Sequence, residues 1–354
     1  MQNFVKKIEK ADAVLVTSDI NRRYFTGFNS SAGMVLITSE QSYFLTDFRY
    51  ITAAKSGISN CEVMMVERNR GYNVILTELF AKYDIKTLGI EYQTTTISDF
   101  ENLKANFDVE FCDVSREIQN LRNAKTEDES QKMRDAQKIA DETFTEIVEF
   151  IRENYKKGLT EKIIGAKLVA LMYEKGADGL SFQPIVASGV NGASPHARPT
   201  HKKIVEGEFI TMDFGCVLNG YCSDMTRTIC VGQPTEEMVK IYNLVLEAQR
   251  LGIEFAKAGV KGSEIHAKAH DFFEKHDMAQ YFGHGFGHGI GMECHEGLSA
   301  SPACEVNLPE NFFVSAEPGL YIDGFCGVRI EDILRLTKEG NEDITKAPKN
   351  LIII

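Results

Sequence analysis

The sequence predicts two domains of different class, an α/β domain over residues 1–122 and an α+β domain over residues 123–354. Three observations lead there. Short apolar runs alternate with helical patterns through the first third. A capping-box sequence opens a long amphipathic helix near residue 126. From there on, long helices separate strands that end in acidic residues or glycine-rich turns. A chain of 354 residues is long enough for two domains of ordinary size.

In the first domain, Ala13–Thr17, Met34–Thr38, Tyr43–Thr46, Val63–Val66 and Thr87–Tyr92 read as strands. Each is rich in β-branched or aromatic residues and bounded by polar residues or glycine. Segments near 48–57, 70–83 and 96–106 read as helices, which implies a partly parallel sheet. In the second domain Thr126-Glu127-Asp128-Glu129 caps a helix that runs to about residue 154. Its apolar positions, Met133, Ala136, Ile139, Ala140, Phe144, Ile147 and Ile151, fall mostly three or four apart. Further helices are expected at about 160–175, 235–258 and 262–276.

Composition narrows the function. The net charge is −12, which argues against nucleic acid as a partner, because phosphate binding needs a basic patch. The first ten residues lack a secretory apolar core, and no stretch approaches the roughly 18 apolar residues of a membrane helix. The eight cysteines are scattered without a CxxC pair, as expected of reduced thiols in a cytoplasmic protein.

The chemistry lies in the second domain. Phe209–Asp213 is an apolar strand ending in an acid, and Asn219-Gly220 is a hairpin turn signal. With that turn, Asp224 falls opposite Gly215 and becomes a diagonal neighbour of Asp213, roughly 7–8 Å away between backbones. That spacing suits a metal between the carboxylates. It suits two solvent-exposed acids on a hairpin equally well. Gly283–Gly289 (GHGFGHG) places His284 and His288 on a backbone free to approach a site, and His295 and Glu296 follow. Glu317-Pro318-Gly319 ends another apolar strand. Arg329 and Glu331 share a face of a strand expected to run to Leu336. Four acids and one histidine make an oxygen-rich site suited to Mn²⁺ or Co²⁺, with Zn²⁺ or Fe²⁺ tolerated, and able to hold two ions.

In that order these motifs resemble the pita-bread metallopeptidases (family M24), which include methionine aminopeptidase, Xaa-Pro aminopeptidase and prolidase. Val186-Ala187-Ser188-Gly189, Asn191, Pro195-His196 and His295-Glu296-Gly297 resemble the proline-peptidase branch, as does a full creatinase-like N-terminal domain. The resemblance implies a pita-bread catalytic domain and two divalent ions, Mn²⁺ foremost and otherwise Co²⁺ or Zn²⁺. Asp213 would bind one ion, Asp224 and Glu331 both, and His288 and Glu317 the second. Glu317 would carry the proton of the attacking water, with His196 and His295 binding substrate and intermediate. His284 would line the proline pocket, and Arg329 would fix the ligands. It further implies short proline-containing peptides as substrates and a homodimer whose N-terminal domain limits substrate length. Thr46-Asp47-Phe48-Arg49-Tyr50 is similar to a segment of Xaa-Pro aminopeptidases, which favours that activity over a strict Xaa-Pro dipeptidase. A non-catalytic pita-bread binding module would show eroded ligands, and none is eroded here.

Several neighbours are expected to be structural. Cys216, Cys222 and Cys294 read as packing residues, since hard ligands disfavour thiolate. His266, His270 and His276 read as ordinary helical residues, and Tyr221 as packing. Phe182, Phe286, Tyr321 and Phe325 could line the pocket, although aromatic residues near such motifs are more often core, and His201 could rim the site.

Overall fold

In the computed structural model, which describes residues 1–354, the apolar runs of the first third form strands of one sheet. They are β1 (Ala13–Val16), β2 (Met34–Thr38), β3 (Ser42–Thr46), β4 (Glu62–Met65) and β5 (Thr87–Ile90). A sixth strand, β6 (Glu110–Asp113), was not foreseen, nor was the helix Asp19–Thr26. The order is β4-β3-β2-β1-β5-β6; β1, β2 and β3 are antiparallel neighbours, and the outer pairings are parallel. Val14 and Val16 pack on one face with Val35 and Ile37, while Ala13 and Leu15 pack on the other with Leu36 and Leu45. Helices cover both faces, so the central strands read as continuous apolar runs rather than alternating ones. The helix expected from residue 48 starts at Ile51. Asp47 accepts from the Arg49 amide (2.9 Å), forming a local turn that competes with helix initiation.

The chain divides into two units, Met1–Leu121 and Arg122–Ile354. The second opens with the helix Glu127–Asn154. Its capping box is complete, with Thr126 Oγ1 accepting from the Glu129 amide and Glu129 accepting from the Thr126 amide. Helices Glu161–Glu174, Glu236–Phe255 and Gly262–Glu274 follow, close to the expected spans. After the short β7 (Gly179–Leu180), the sheet of β8 (Ile185–Ser188), β9 (Glu208–Phe214) and β12 (Met225–Val231) shares a core with the first two helices. The last two pack on later strands through Ile241, Val245, Ile265 and Phe273. No helix is long and apolar enough to cross a membrane, and all eight cysteines are free thiols.

Two long antiparallel ladders dominate this unit, and each is interrupted. The first joins β9 and β10 (Cys216–Leu218) to β11 (Tyr221–Cys222) and β12. Its turn is Asn219-Gly220, both at positive φ (51° and 85°), with Leu218 opposite Tyr221. Phe214 pairs with Met225, so one register runs throughout and sets Gly215 opposite Asp224, as the turn signal predicts. Past the short pair β13 (Gly287–His288) and β14 (Ser299–Ala300), the second ladder joins β15 (Phe313–Ala316) and β16 (Gly319–Ile322) to β17 (Cys326–Arg329) and β18 (Asp332–Leu336).

Here the expected continuous strand through Glu331 is corrected, because β17 ends at Arg329 and β18 begins at Asp332. Ala316 pairs with Asp332 and Gly319 with Arg329 in one register, which sets Glu317 opposite Glu331 and Pro318 opposite Ile330. Pro318 has no amide to donate, so the ladder cannot close there. The Glu331 amide bonds instead to the Thr226 carbonyl, 3.0 Å away on the first ladder.

Candidate metal centre and its cavity

The breaks in the two ladders are where the acids gather. Asp213 sits on β9 between Ile185 of β8 and Thr226 of β12. Asp224 occupies the gap after β11, its amide turned to Gln137 Oε1 of the long helix (3.3 Å). A Cβ at Gly215 would lie 1.9 Å from the Ser223 carbonyl oxygen, so only glycine lets the strands pinch between the two aspartates. Similarly, a Cβ at Gly287 would lie 1.8 Å from the Ser315 carbonyl oxygen. That close approach lets the His288 amide donate to Ser315 Oγ (2.9 Å), and Ser315 Oγ donates to Glu317 Oε1 (3.0 Å).

All nine residues singled out in the sequence line one cavity of about 800 Å³: Asp213, Asp224, His288, Glu317, Glu331, His196, His284, His295 and Arg329. Asp224, His288 and Glu331 each offer a ligand atom within 4.8 Å of the other two. His288 Nε2 lies 3.3 Å from Glu317 Oε1 and 3.6 Å from Asp224 Oδ2.

Burial pushes the Asp224 and Glu331 carboxyls well above the usual carboxylate range, and repulsion from the other acids adds to it. Burial also raises Glu317. The same desolvation lowers the pKa of His288, His284 and His295, favouring neutral imidazoles. With Nδ1 of His288 turned to the Gly289 carbonyl (3.2 Å), its Nε2 lone pair faces the acids. Lone pairs facing one another across such distances repel unless a cation stands between them.

Asp213 Oδ1, Asp224 Oδ1 and Glu331 Oε1 are buried without a partner, while the second oxygen of each carboxylate is held. Asp213 Oδ2 accepts from Arg329 Nη2 (2.6 Å), Asp224 Oδ2 from Cys294 Sγ (3.2 Å) and Glu331 Oε2 from Thr226 Oγ1 (2.8 Å). Unpaired buried oxygens are rare, and each carries a desolvation cost. One satisfied and one free oxygen on each of three carboxylates suits a divalent-cation centre, so the residues present fit such ions.

Arg329 acts on more than one acid. Its Nε donates to Thr226 Oγ1 (3.0 Å), which donates to Glu331. Its Nη1 donates to Tyr321 Oη (2.8 Å). Tyr321, one of the aromatics open to either reading, lines the cavity 2.9 Å from His284 Nε2. Burial pushes the Tyr321 phenol up to about 12, so it keeps its proton to donate to His284. Phe182 also lines the cavity, whereas Phe286 is core and His201 is exposed away from the lining. His266 is the helical residue expected, and it is buried against Phe282.

Three contributions escaped the sequence reading. Cys294 lines the cavity and touches Asp224. Glu296 is buried between Lys125 Nζ (2.7 Å) and Arg122, anchoring the segment that carries Cys294 and His295. Glu161, fully buried, accepts from Ser188, Asn191 and Thr200 and so ties down the segment bearing His196. The only signal for Glu296 was its place beside His295. Glu161 gave none, since an acid in the first turn of a helix is ordinary.

Comparison with known proteins agrees with this architecture. Residues 131–338 match Metallopeptidase family M24, and residues 4–124 match the Creatinase/Prolidase N-terminal domain. A peptidase of Bacillus subtilis (strain 168) is 38% identical over 97% of this chain and 96% of its own length. A solved Xaa-Pro dipeptidase from Bacillus anthracis superposes with a TM-score of 0.93 at 39% identity, covering 99% of this chain and 100% of that one. An X-Pro aminopeptidase from Thermotoga maritima MSB8 also gives 0.93, at 34% identity and 99% of both chains. The chain therefore belongs to metallopeptidase family M24, a hydrolase that pairs a creatinase/prolidase N-terminal domain with the M24 catalytic domain.

Proposed function

We propose that the protein is an Xaa-Pro aminopeptidase that removes the residue ahead of proline from short peptides. Asp213, Asp224, His288, Glu317 and Glu331 would hold two divalent ions, with Mn²⁺ the ion best matched to so oxygen-rich a donor set. The observation that carries this reading is the convergence of three half-satisfied buried carboxylates on one cavity. When bound, the ions polarise the scissile carbonyl and acidify water.

The chain's own residues do the rest. Glu317, its carboxyl raised by burial, takes the proton of the attacking water and returns it to the departing proline nitrogen. That nitrogen has no N–H in the substrate amide and leaves only when protonated. His295 and His196, both on the cavity wall, donate hydrogen bonds to the carbonyl oxygen as it gains charge. His284, oriented by Tyr321, lines the proline subsite. Arg329 holds Asp213 and, through Thr226, Glu331.

Support for aminopeptidase over strict dipeptidase comes from the Thr46–Tyr50 segment. The same reading makes the protein a cytoplasmic homodimer. Eight free thiols suit a reducing compartment.

The test is a peptide-length series, X-Pro against X-Pro-Y and X-Pro-Y-Z, run with Mn²⁺, Co²⁺ and Zn²⁺. The longer peptides should be cut at least as fast as the dipeptide. Cleavage of the dipeptide alone would refute the aminopeptidase assignment and leave a dipeptidase.

A further inference from the structure

Cys294 is out of keeping with a hard-ligand centre. Its thiol lines the cavity, half-buried, 3.2 Å from Asp224 Oδ2. Cys294, His288 and His295 each offer a donor atom within 4.8 Å of the other two. The rings of His288 and His295 lie 3.9 Å apart between centroids. A tetrahedral zinc ion with bonds of about 2.0–2.3 Å keeps its donors roughly 3.3–3.8 Å apart, so closure requires shifts of no more than about 1.5 Å. Asp224 Oδ2 lies beside this set, 3.2 Å from the sulfur and 3.6 Å from His288 Nε2. The segment is also fixed in place. Glu296, two residues past Cys294, is locked between Lys125 and Arg122, and the Gly289 and Glu296 backbones bond to each other (2.9 Å).

We propose that Cys294, His288 and His295 form a second, soft-donor metal site abutting the carboxylate centre, and that it binds a thiophilic divalent ion such as Zn²⁺ or Cd²⁺. On binding, the thiol proton leaves to solvent and the ion takes its place on sulfur. Occupancy withdraws His288 from the carboxylate centre and His295 from substrate, so the ion inhibits. The inhibition rests on the proposed roles of those two histidines; the binding does not.

Chelator-stripped protein is titrated with Cd²⁺, following the thiolate-to-cadmium charge-transfer absorption, in the wild type and in Cys294→Ser. Serine puts a hydroxyl donor toward Asp224 in place of the thiol at nearly the same volume. The wild type should show a one-equivalent band, and the variant should lose it and bind Cd²⁺ at least about tenfold more weakly. Mn²⁺ binding, counted by the disappearance of its free-ion resonance, should persist in both. In parallel, each protein is loaded with Mn²⁺ and challenged with Cd²⁺, the rate being expressed against its own unchallenged rate. The wild type should be inhibited at lower Cd²⁺ than the variant. An unchanged absorption band in Cys294→Ser, or loss of Mn²⁺ and Cd²⁺ binding together, would overturn the site. Equal inhibition of both proteins with the band difference intact would overturn its inhibitory role alone.

Discussion

Removing the divalent ions should cost stability in a way that grows with pH. In the ion-free protein, Asp224, Glu331 and Glu317 have carboxyl pKa values raised above the unfolded range near 4. Such groups favour the fold while protonated. Their contribution is present below about pH 4 and is lost as pH rises through the raised folded values. An arriving ion must expel those protons, so its affinity climbs with pH. Each proton released makes the affinity change about tenfold per pH unit, or about 1.4 kcal/mol, and two released protons make it about a hundredfold. At free ion 100-fold above Kd, each bound ion adds about 2.7 kcal/mol. For a unit of roughly 200 residues that raises the midpoint by about 5–11 °C per ion. Thermal melts of stripped and Mn²⁺-loaded protein at pH 5.5, 7 and 8.5, with calorimetric titration in two buffers of different ionisation enthalpy, measure both quantities. The gap between the melts should widen with pH, and the apparent binding enthalpy should depend on buffer. A pH-independent gap with no proton release would refute the shared-proton picture of these carboxylates.

Replacing Arg329 by Met should leave Asp213 Oδ2 buried and unpaired, costing about 3–5 kcal/mol in urea unfolding and weakening ion binding. Arg329→Lys should recover only part of this, because one ammonium cannot reach Asp213, Thr226 and Tyr321 together. Glu317→Gln should lower kcat by about 10²–10⁴ while the fold persists in circular dichroism; an unaltered kcat would remove Glu317 from proton transfer. Glu296 is buried, which alone would raise its pKa, yet Lys125 and Arg122 hold it below the usual carboxylate value. Its stabilisation is therefore present above about pH 4.5 and lost as pH falls through the lowered value. Glu296→Gln should destabilise at pH 7 and flatten the acid limb of the stability curve below about pH 4.5, read by denaturant midpoints across that range.

The sequence alone determined the kinds of residue and their order. Period-two and period-3.6 patterns placed most of the strands and helices, because burial of one face fixes local periodicity without reference to the rest of the chain. Asn219-Gly220 fixed the register of the first ladder, since a two-residue turn with both φ positive leaves one pairing. The nine cavity residues were legible because glycine, histidine and acids recur in a characteristic order, although spacing by itself left Asp213 and Asp224 open to two readings.

Tertiary structure decided what lies far apart in sequence. The interruption at Pro318 and Glu331 depends on a cross-strand partner, since proline's missing amide matters only opposite Ile330. The carboxylate clamp of Glu296 by Arg122 and Lys125 spans 174 and 171 residues, and the hold of Glu161 on Thr200 spans 39. Cys294 looked inert because its contact with Asp224 is 70 residues away in the chain. A motif can name a ligand, but whether its second oxygen is satisfied, and by which partner, is settled only when distant segments pack. That distribution of hydrogen bonds left Asp213, Asp224 and Glu331 each with one buried, unpaired oxygen.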